Sequence, residues 1–200
     1  MSSAAPATPP PGRTLVAGVG NIFLGDDGFG VEAVRALGAH ALPEGVELVD
    51  AGVRGVHLAY RMLDGYATVL LVDAAARGGE PGSLYLLDAT DPADAAPRPG
   101  NTPIDAHHMT PDAVLALLDT LSAGTGARRP ERVLVVGCEP ADTAEGIGLS
   151  APVAAAVDEA VRLVLRLVGA DSDADPDASE PAATAGPATT ATTERNTTPC

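Results

Sequence analysis

The chain has 200 residues, 46% of them hydrophobic but only 2% aromatic, and a formal net charge of −15. That length suits one domain with a sizeable core, and a core this poor in aromatics must be built from Val, Leu and Ala. The acidity argues against a nucleic-acid or anionic-membrane surface as partner.

Residues 1–12, MSSAAPATPPPG, are small and proline-rich, which reads as a disordered segment. They lack a basic region and an apolar stretch, so they do not read as a signal peptide. Thr14 to Ala17 opens the domain as a short buried strand, broken by Gly18, Gly20 and Asn21. A glycine-punctuated loop follows and carries two adjacent carboxylates, Asp26 and Asp27. Beyond Gly30 the segment VEAVRALGAH has the spacing of an amphipathic helix. Strand, tight turn, acidic loop and helix place both acids at the carboxyl edge of an open α/β sheet, where such folds put their sites.

Val46 to Val49 reads as a second strand, and Gly55 to Leu63 as a helix with Val56, Leu58, Ala59, Met62 and Leu63 at helical spacing. His57 is expected on that helix surface rather than among ligands. Ala67 to Val72 is continuously apolar, as in a central parallel strand buried on both faces. It ends at Asp73, either a turn former or a site residue. Ser83 to Leu87 is a further strand whose direction the residues leave open. Thr110, Pro111 and Asp112 make a strong helix start, with Val114, Leu117, Leu118 and Leu121 facing inward. Asp105, His107 and His108 stand just before it. Val133 to Val136 is the last strand, ending at Cys138 and Glu139. Ser150 is expected to cap a final helix with the stripe Val153, Val157, Val161, Val164, Leu165 and Val168.

From residue 170 the chain turns to Ala, Thr, Pro, Asp and Ser, a composition that cannot bury a core. The segment 171–200 holds six acids and one Arg. The domain is therefore expected at 13–169, with the tail dispensable for stability. The chain holds two cysteines, Cys138 and Cys200, too few for a disulfide framework, so a reducing cytoplasm is the expected compartment. No apolar run reaches the length of a membrane span.

The glycines around residue 20 do not make a dinucleotide fingerprint, because Phe23 stands where the third glycine belongs. A P-loop fails as well, since all 12 basic residues are Arg. A loop with two acids suits a cation or acid/base work better. Asp26 reads equally as a cap for the following helix. Asp27, Asp73 and one of His107 or His108 follow separate elements. Two carboxylates and an imidazole would suit a divalent transition metal with open positions, or acid/base work on water. Cys138 is expected to be structural, since it follows a buried strand with no His beside it in sequence.

The segment GVGNIFLGDDGFGV resembles the N-terminal motif of the [NiFe]-hydrogenase maturation endopeptidases. DAGVRG resembles that family's turn after its second strand. DAHHMTP is similar to its His-bearing segment, and GCEP with GIGLSAPV is similar to its C-terminal signature. The likeness covers Thr14 to Val168. It implies a phosphorylase/hydrolase-like three-layer α/β/α sandwich on a mixed five-stranded sheet, order 2-1-3-5-4, with strand 4 antiparallel. It further implies an endopeptidase that removes the C-terminal extension of a [NiFe]-hydrogenase large-subunit precursor after nickel insertion, acting as a monomer without nucleic acid or membrane. Asp27, Asp73 and His107 are then both the catalytic residues and the metal contacts, with nickel carried by the substrate rather than held by the free enzyme. Asp27 is a shorter side chain than the Glu that many members carry there. A non-catalytic nickel-sensing module built from the same trio is the alternative.

Overall fold

The β-branched and leucine-rich runs become strands whose side chains alternate between two helical layers. The computed structural model describes residues 12–90 and 111–169. In chain order these form β1 (Thr14–Val19), a 3-10 turn (Gly25–Gly28), α1 (Phe29–Leu37), β2 (Val46–Gly52), α2 (Gly55–Met62) and β3 (Thr68–Ala74). Then come β4 (Leu84–Asp88), α3 (Pro111–Thr125), β5 (Arg132–Cys138) and α4 (Ala151–Leu167). The five strands make one sheet in the order β2-β1-β3-β5-β4. All neighbours are parallel except β4 against β5. The fold implied by the resemblance is therefore the fold observed. The direction of β4 has a simple cause: the connection 75–83 is too short for the crossover that a parallel return requires.

Leu15, Ala17, Val19, Val69, Leu71, Val133 and Val135 project to one face and pack against α2 and α3. Val16, Leu70, Val72, Leu134 and Val136 project to the other and pack against α1 and α4. This is the period-two alternation of a sheet covered on both sides. Leu, Val and Ala fill both layers, and Phe29 is the one phenylalanine inside.

Three strands outrun their apolar segments. β3 and β5 stay paired to their ends, Asp73 opposite Gly137 and Ala74 opposite Cys138. The ladder thus carries Asp73 inside the sheet rather than in a turn after it. β2 likewise continues to Gly52, with Ala51 as the extra, bulged residue opposite the Gly18–Val19 step of β1. Close approach of backbones decides one glycine: a Cβ on Gly30 would run into the carbonyl oxygens of Val72 and Val19. Only a bare α-carbon lets the start of α1 rest directly on β1 and β3.

The segments expected to be disordered, before residue 12 and after 169, lie outside the described residues, as does 91–110. Among the described residues no helix is long and apolar enough to cross a membrane.

Candidate active site

The chain leaves β1 towards β2 on one side and reaches β3 on the other, so the strand order reverses between β1 and β3. The carboxyl ends of these two strands flank the crevice that open α/β sheets use for ligands. Asp27 follows β1 and Asp73 closes β3. Gly20, at φ +123°, sits between them. A Cβ there would overlap the Asp27 carbonyl oxygen and lie 3.5 Å from Asp73 Oδ1. The Asp27 main chain and the Asp73 carboxylate thus approach Gly20 together.

Asp27 is half-buried, and its Oδ2 accepts the Asn21 N–H at 2.6 Å, which curls the loop back over the strand end. Asp73 is 5% exposed. It shares the parity of Val69 and Leu71 and so points to the α2/α3 face. Burial pushes its carboxyl well above the usual range, and the Asp27 charge pushes it further. The Ala74 amide opposes this, and Asp112 in the first turn of α3 adds to it. The charged neighbours that act on Asp73 among the described residues are thus both carboxylates. Such a site disfavours the charge on Asp73, and a cation beside it would relieve that cost. The pair can do acid/base work, or present carboxylate oxygens to a divalent metal.

Asp26, one residue away, does something else. It is fully buried, and its carboxylate accepts from Ala141 N at 2.8 Å, Asp142 N at 3.0 Å, Ser150 N at 2.6 Å and Ser150 Oγ at 2.8 Å. Burial raises its pKa, but these donations outweigh the burial and hold it below the ordinary value. The cap alternative is therefore replaced: the residue before α1 is Gly28, with no side-chain cap, and Asp26 latches its loop to the start of α4 instead. Ser150 holds the expected cap position of α4, but its hydroxyl donates to Asp26 and makes no side-chain cap bond.

Glu139, at the end of β5, is the second buried acid that sequence reasoning did not assign. It accepts from Arg77 N at 2.8 Å, Gly78 N at 3.1 Å and the Tyr85 hydroxyl at 2.8 Å, and so shapes the loop after β3. Its pKa, raised by burial, is brought below the ordinary value chiefly by the Arg77 amide and the Tyr85 hydroxyl. Cys138 is fully buried, and burial, then Asp26 and Glu139, push its thiol up to about 12. It cannot supply a thiolate, in line with its structural reading. His57 is exposed on α2, beside Arg54 and Arg61 in a groove along β2, as expected of a surface residue.

Asp105, His107 and His108 lie outside the described residues. Among the described residues no three His, Cys, Asp or Glu side chains are arranged to hold a metal. Asp27 and Asp73 are the two donors of the expected trio that the described residues contain. Their hard carboxylate oxygens fit a divalent cation that brings other ligands of its own.

The family model for hydrogenase maturation proteases matches residues 31–167. That span contains Asp73 and His107 and begins just beyond Asp27. The hydrogenase expression/formation protein HupD of Rhizobium leguminosarum is 34% identical over 167 residues, covering 82% of this chain and 78% of the relative. The hydrogenase maturating endopeptidase HybD from E. coli superposes with a TM-score of 0.63 at 32% identity, covering 80% of this chain and 93% of that one. A hydrogenase 2 maturation peptidase from a Thaumarchaeota archaeon gives 0.58 at 31% identity, covering 78% and 98%.

Proposed function

The chain belongs to the hydrogenase maturation protease family and is a peptidase, and from that premise we propose that it removes the C-terminal extension of a [NiFe]-hydrogenase large-subunit precursor once nickel is in place. The observation that carries this reading is the pair Asp27 and Asp73, brought to either side of Gly20 at the strand-order reversal, with the charges of Asp27 and Asp112 acting on Asp73. Two oxygen donors bind a free divalent ion weakly. They bind it better when it arrives already anchored in a protein, with the peptide surface adding contact energy. Cleavage then waits for the metal without a separate sensor domain.

In this reading nickel belongs to the substrate. Asp27, Asp73 and His107 reach for it, and the two aspartates polarise the attacking water. The proton that the water loses can pass by way of one of these carboxylates to the departing amine. The enzyme works as a cytoplasmic monomer.

The test is mass spectrometry of a candidate precursor incubated with metal-stripped enzyme. Nickel-loaded precursor should lose its C-terminal extension, and nickel-free precursor should stay whole. His107→Ala should stop processing while His108→Ala leaves most of it. Equal cutting of loaded and nickel-free precursor by chelator-treated enzyme would overturn the nickel checkpoint and leave the trio as acid/base groups only.

A further inference from the structure

Two loops run side by side along the carboxyl edge, next to the crevice. Gly25 N–H donates to Gly146 O at 3.0 Å, Gly146 N–H to Phe23 O at 2.9 Å, and Asp26 N–H to Asp142 O at 2.9 Å. The Asp26 carboxylate completes the connection with its bonds to Ala141, Asp142 and Ser150. The pair is thus fastened from behind by backbone bonds and a fully buried acid.

On its outer side the same pair holds two large apolar side chains in water. Ile147 is 85% exposed and Phe23 is 61% exposed. In a chain with only two phenylalanines, one fills the core and the other stands on this rim. A scattered surface leucine needs no explanation. Here, however, the backbone that carries both side chains is pinned in a shape that keeps them out of the core, at the edge where the site lies. Phe23 is also tied to the acids: its N–H donates to Asn21 Oδ1 at 3.0 Å, and the Asn21 N–H donates to Asp27. Asp142 and Glu145, on the same loop as Ile147, are exposed.

We propose that Phe23 and Ile147 form a docking patch for the folded body of the protein substrate. They would seat on an apolar spot ringed by Lys or Arg, while the segment to be cut reaches Asp27 and Asp73. The occupant follows from three facts. The chain is a peptidase, so its substrate is a polypeptide. The patch is continuous with the candidate site through Asn21. The loop that carries Ile147 also exposes Asp142 and Glu145, in a chain of net charge −15, which favours a basic surround on the partner. The inference rests on the reading that the substrate is a precursor protein rather than a short peptide.

The experiment compares wild type with Phe23→Ser, Ile147→Ser and the double variant on whole precursor. It records KM, kcat, affinity by biolayer interferometry at low and high salt, and sedimentation velocity. Each single change should raise KM and weaken affinity roughly tenfold, as for an apolar anchor at an interface centre. kcat and the thermal midpoint should stay put, and salt should weaken wild-type binding. The proposal is overturned if the double variant binds like wild type, or if kcat falls at constant KM. It is also overturned if the variants split a dimer while precursor kinetics stay unchanged, which would assign the patch to a second copy of this chain. A wild type that leaves every precursor uncut would sink the cleavage reading alone, and the affinity arm would then decide docking by itself.

Discussion

The two ends of the sheet treat acidic side chains in opposite ways. At the amino end Glu47 of β2 is surrounded by partners of opposite charge or ready hydroxyls. Arg13 Nε donates to it at 3.2 Å, Arg61 at 3.0 Å and the Tyr66 hydroxyl at 2.8 Å, with the Arg13 guanidinium 4.3 Å from the Tyr66 ring centre. Glu47 is held below its ordinary pKa, first by Arg13 and then by Tyr66. At the carboxyl end Asp26 and Glu139 are stabilised by amide and hydroxyl donors, while Asp73 is pushed upward by burial and by other carboxylates. Charge is compensated at one end and concentrated at the other. Acids neutralised by arginine serve the fold. An acid left beside other acids stores free energy that a cation or a transferred proton releases.

The sharpest way to break this contrast is Asp73→Asn. Cleavage should fall by about 10²–10⁴-fold, the range for a lost acid/base or ligand group. Stability should move the other way. A carboxyl whose folded pKa is raised contributes stability that is complete below its unfolded pKa near 4 and is lost as pH rises through the folded pKa. At pH 7 the unfolded chain gains the ionisation that burial opposes in the fold, so Asp73 weighs against folding, and the amide relieves it. Calorimetry should find Asp73→Asn melting above wild type at pH 7, with the gap closing as pH falls towards about 4. A lower midpoint for the variant at pH 7 would mean that Asp73 is paired as securely as Glu47.

Asp26→Ala tests the neighbouring acid and should do the reverse. Four donors lose their acceptor, and buried amides left unpaired cost roughly 3 kcal/mol or more together. The midpoint should drop by about 6–12 °C. Below that temperature the variant should still cut far better than Asp27→Ala. Because the folded pKa of Asp26 is depressed, its contribution is present above the unfolded value and is lost as pH falls through the folded one. The gap between wild type and variant should hold from neutral pH down to about 4 and shrink only below it. If Asp26→Ala cuts as poorly as Asp27→Ala at a temperature where both are folded, the two acids share one role.

These adjacent acids also mark where the sequence stops being legible. The sheet could be read from its apolar runs, the motif around residue 20 singled out Asp27, and the end of the apolar run 67–72 singled out Asp73. Periodicity gives β4 as a strand but is silent on its direction, which follows from the length of the loop before it. It is silent too on Asp26, because the partners that define it lie more than a hundred residues away in the chain. An amide-bound carboxylate and a reactive one look identical in a one-dimensional pattern. Glu139 has the same character: its meaning comes from Arg77, Gly78 and Tyr85, which only the pairing of β4 with β5 brings near. His107 was read from motif alone and lies outside the described residues, so its place in the trio rests on the precursor assays.

Cys138→Ala sharpens the same comparison with a smaller effect. The thiol sits between Asp26 and Glu139, and its pKa of about 12 keeps it protonated. Alanine should retain processing and cost roughly 1 kcal/mol for the lost core volume. In a Cys200→Ser background the native chain should resist iodoacetamide at neutral pH, and react fully once unfolded. Rapid labelling of the folded protein would make the carboxyl edge more open than its burial indicates.

The smallest effect belongs to the amino end. Glu47→Gln removes the charge that Arg13 and Arg61 share, yet keeps an oxygen for the Tyr66 hydroxyl to donate to. All three ionic side chains are substantially solvent-exposed. Exposed pairs gain little over water and are screened by salt, so the midpoint should shift by only about a degree or two at low ionic strength. The shift should vanish in high salt, and cleavage should be untouched, since the cluster lies at the end of the strands away from Asp27 and Asp73. Asp73→Asn should behave differently on both counts, because a desolvated acid responds to pH far more than to added salt. If Glu47→Gln instead lowered the midpoint by many degrees and 1 M salt did not rescue it, the amino-end cluster would be a packed structural centre rather than a solvated one. The division between a compensated end and a charged, working end would then have to rest on the carboxyl edge alone.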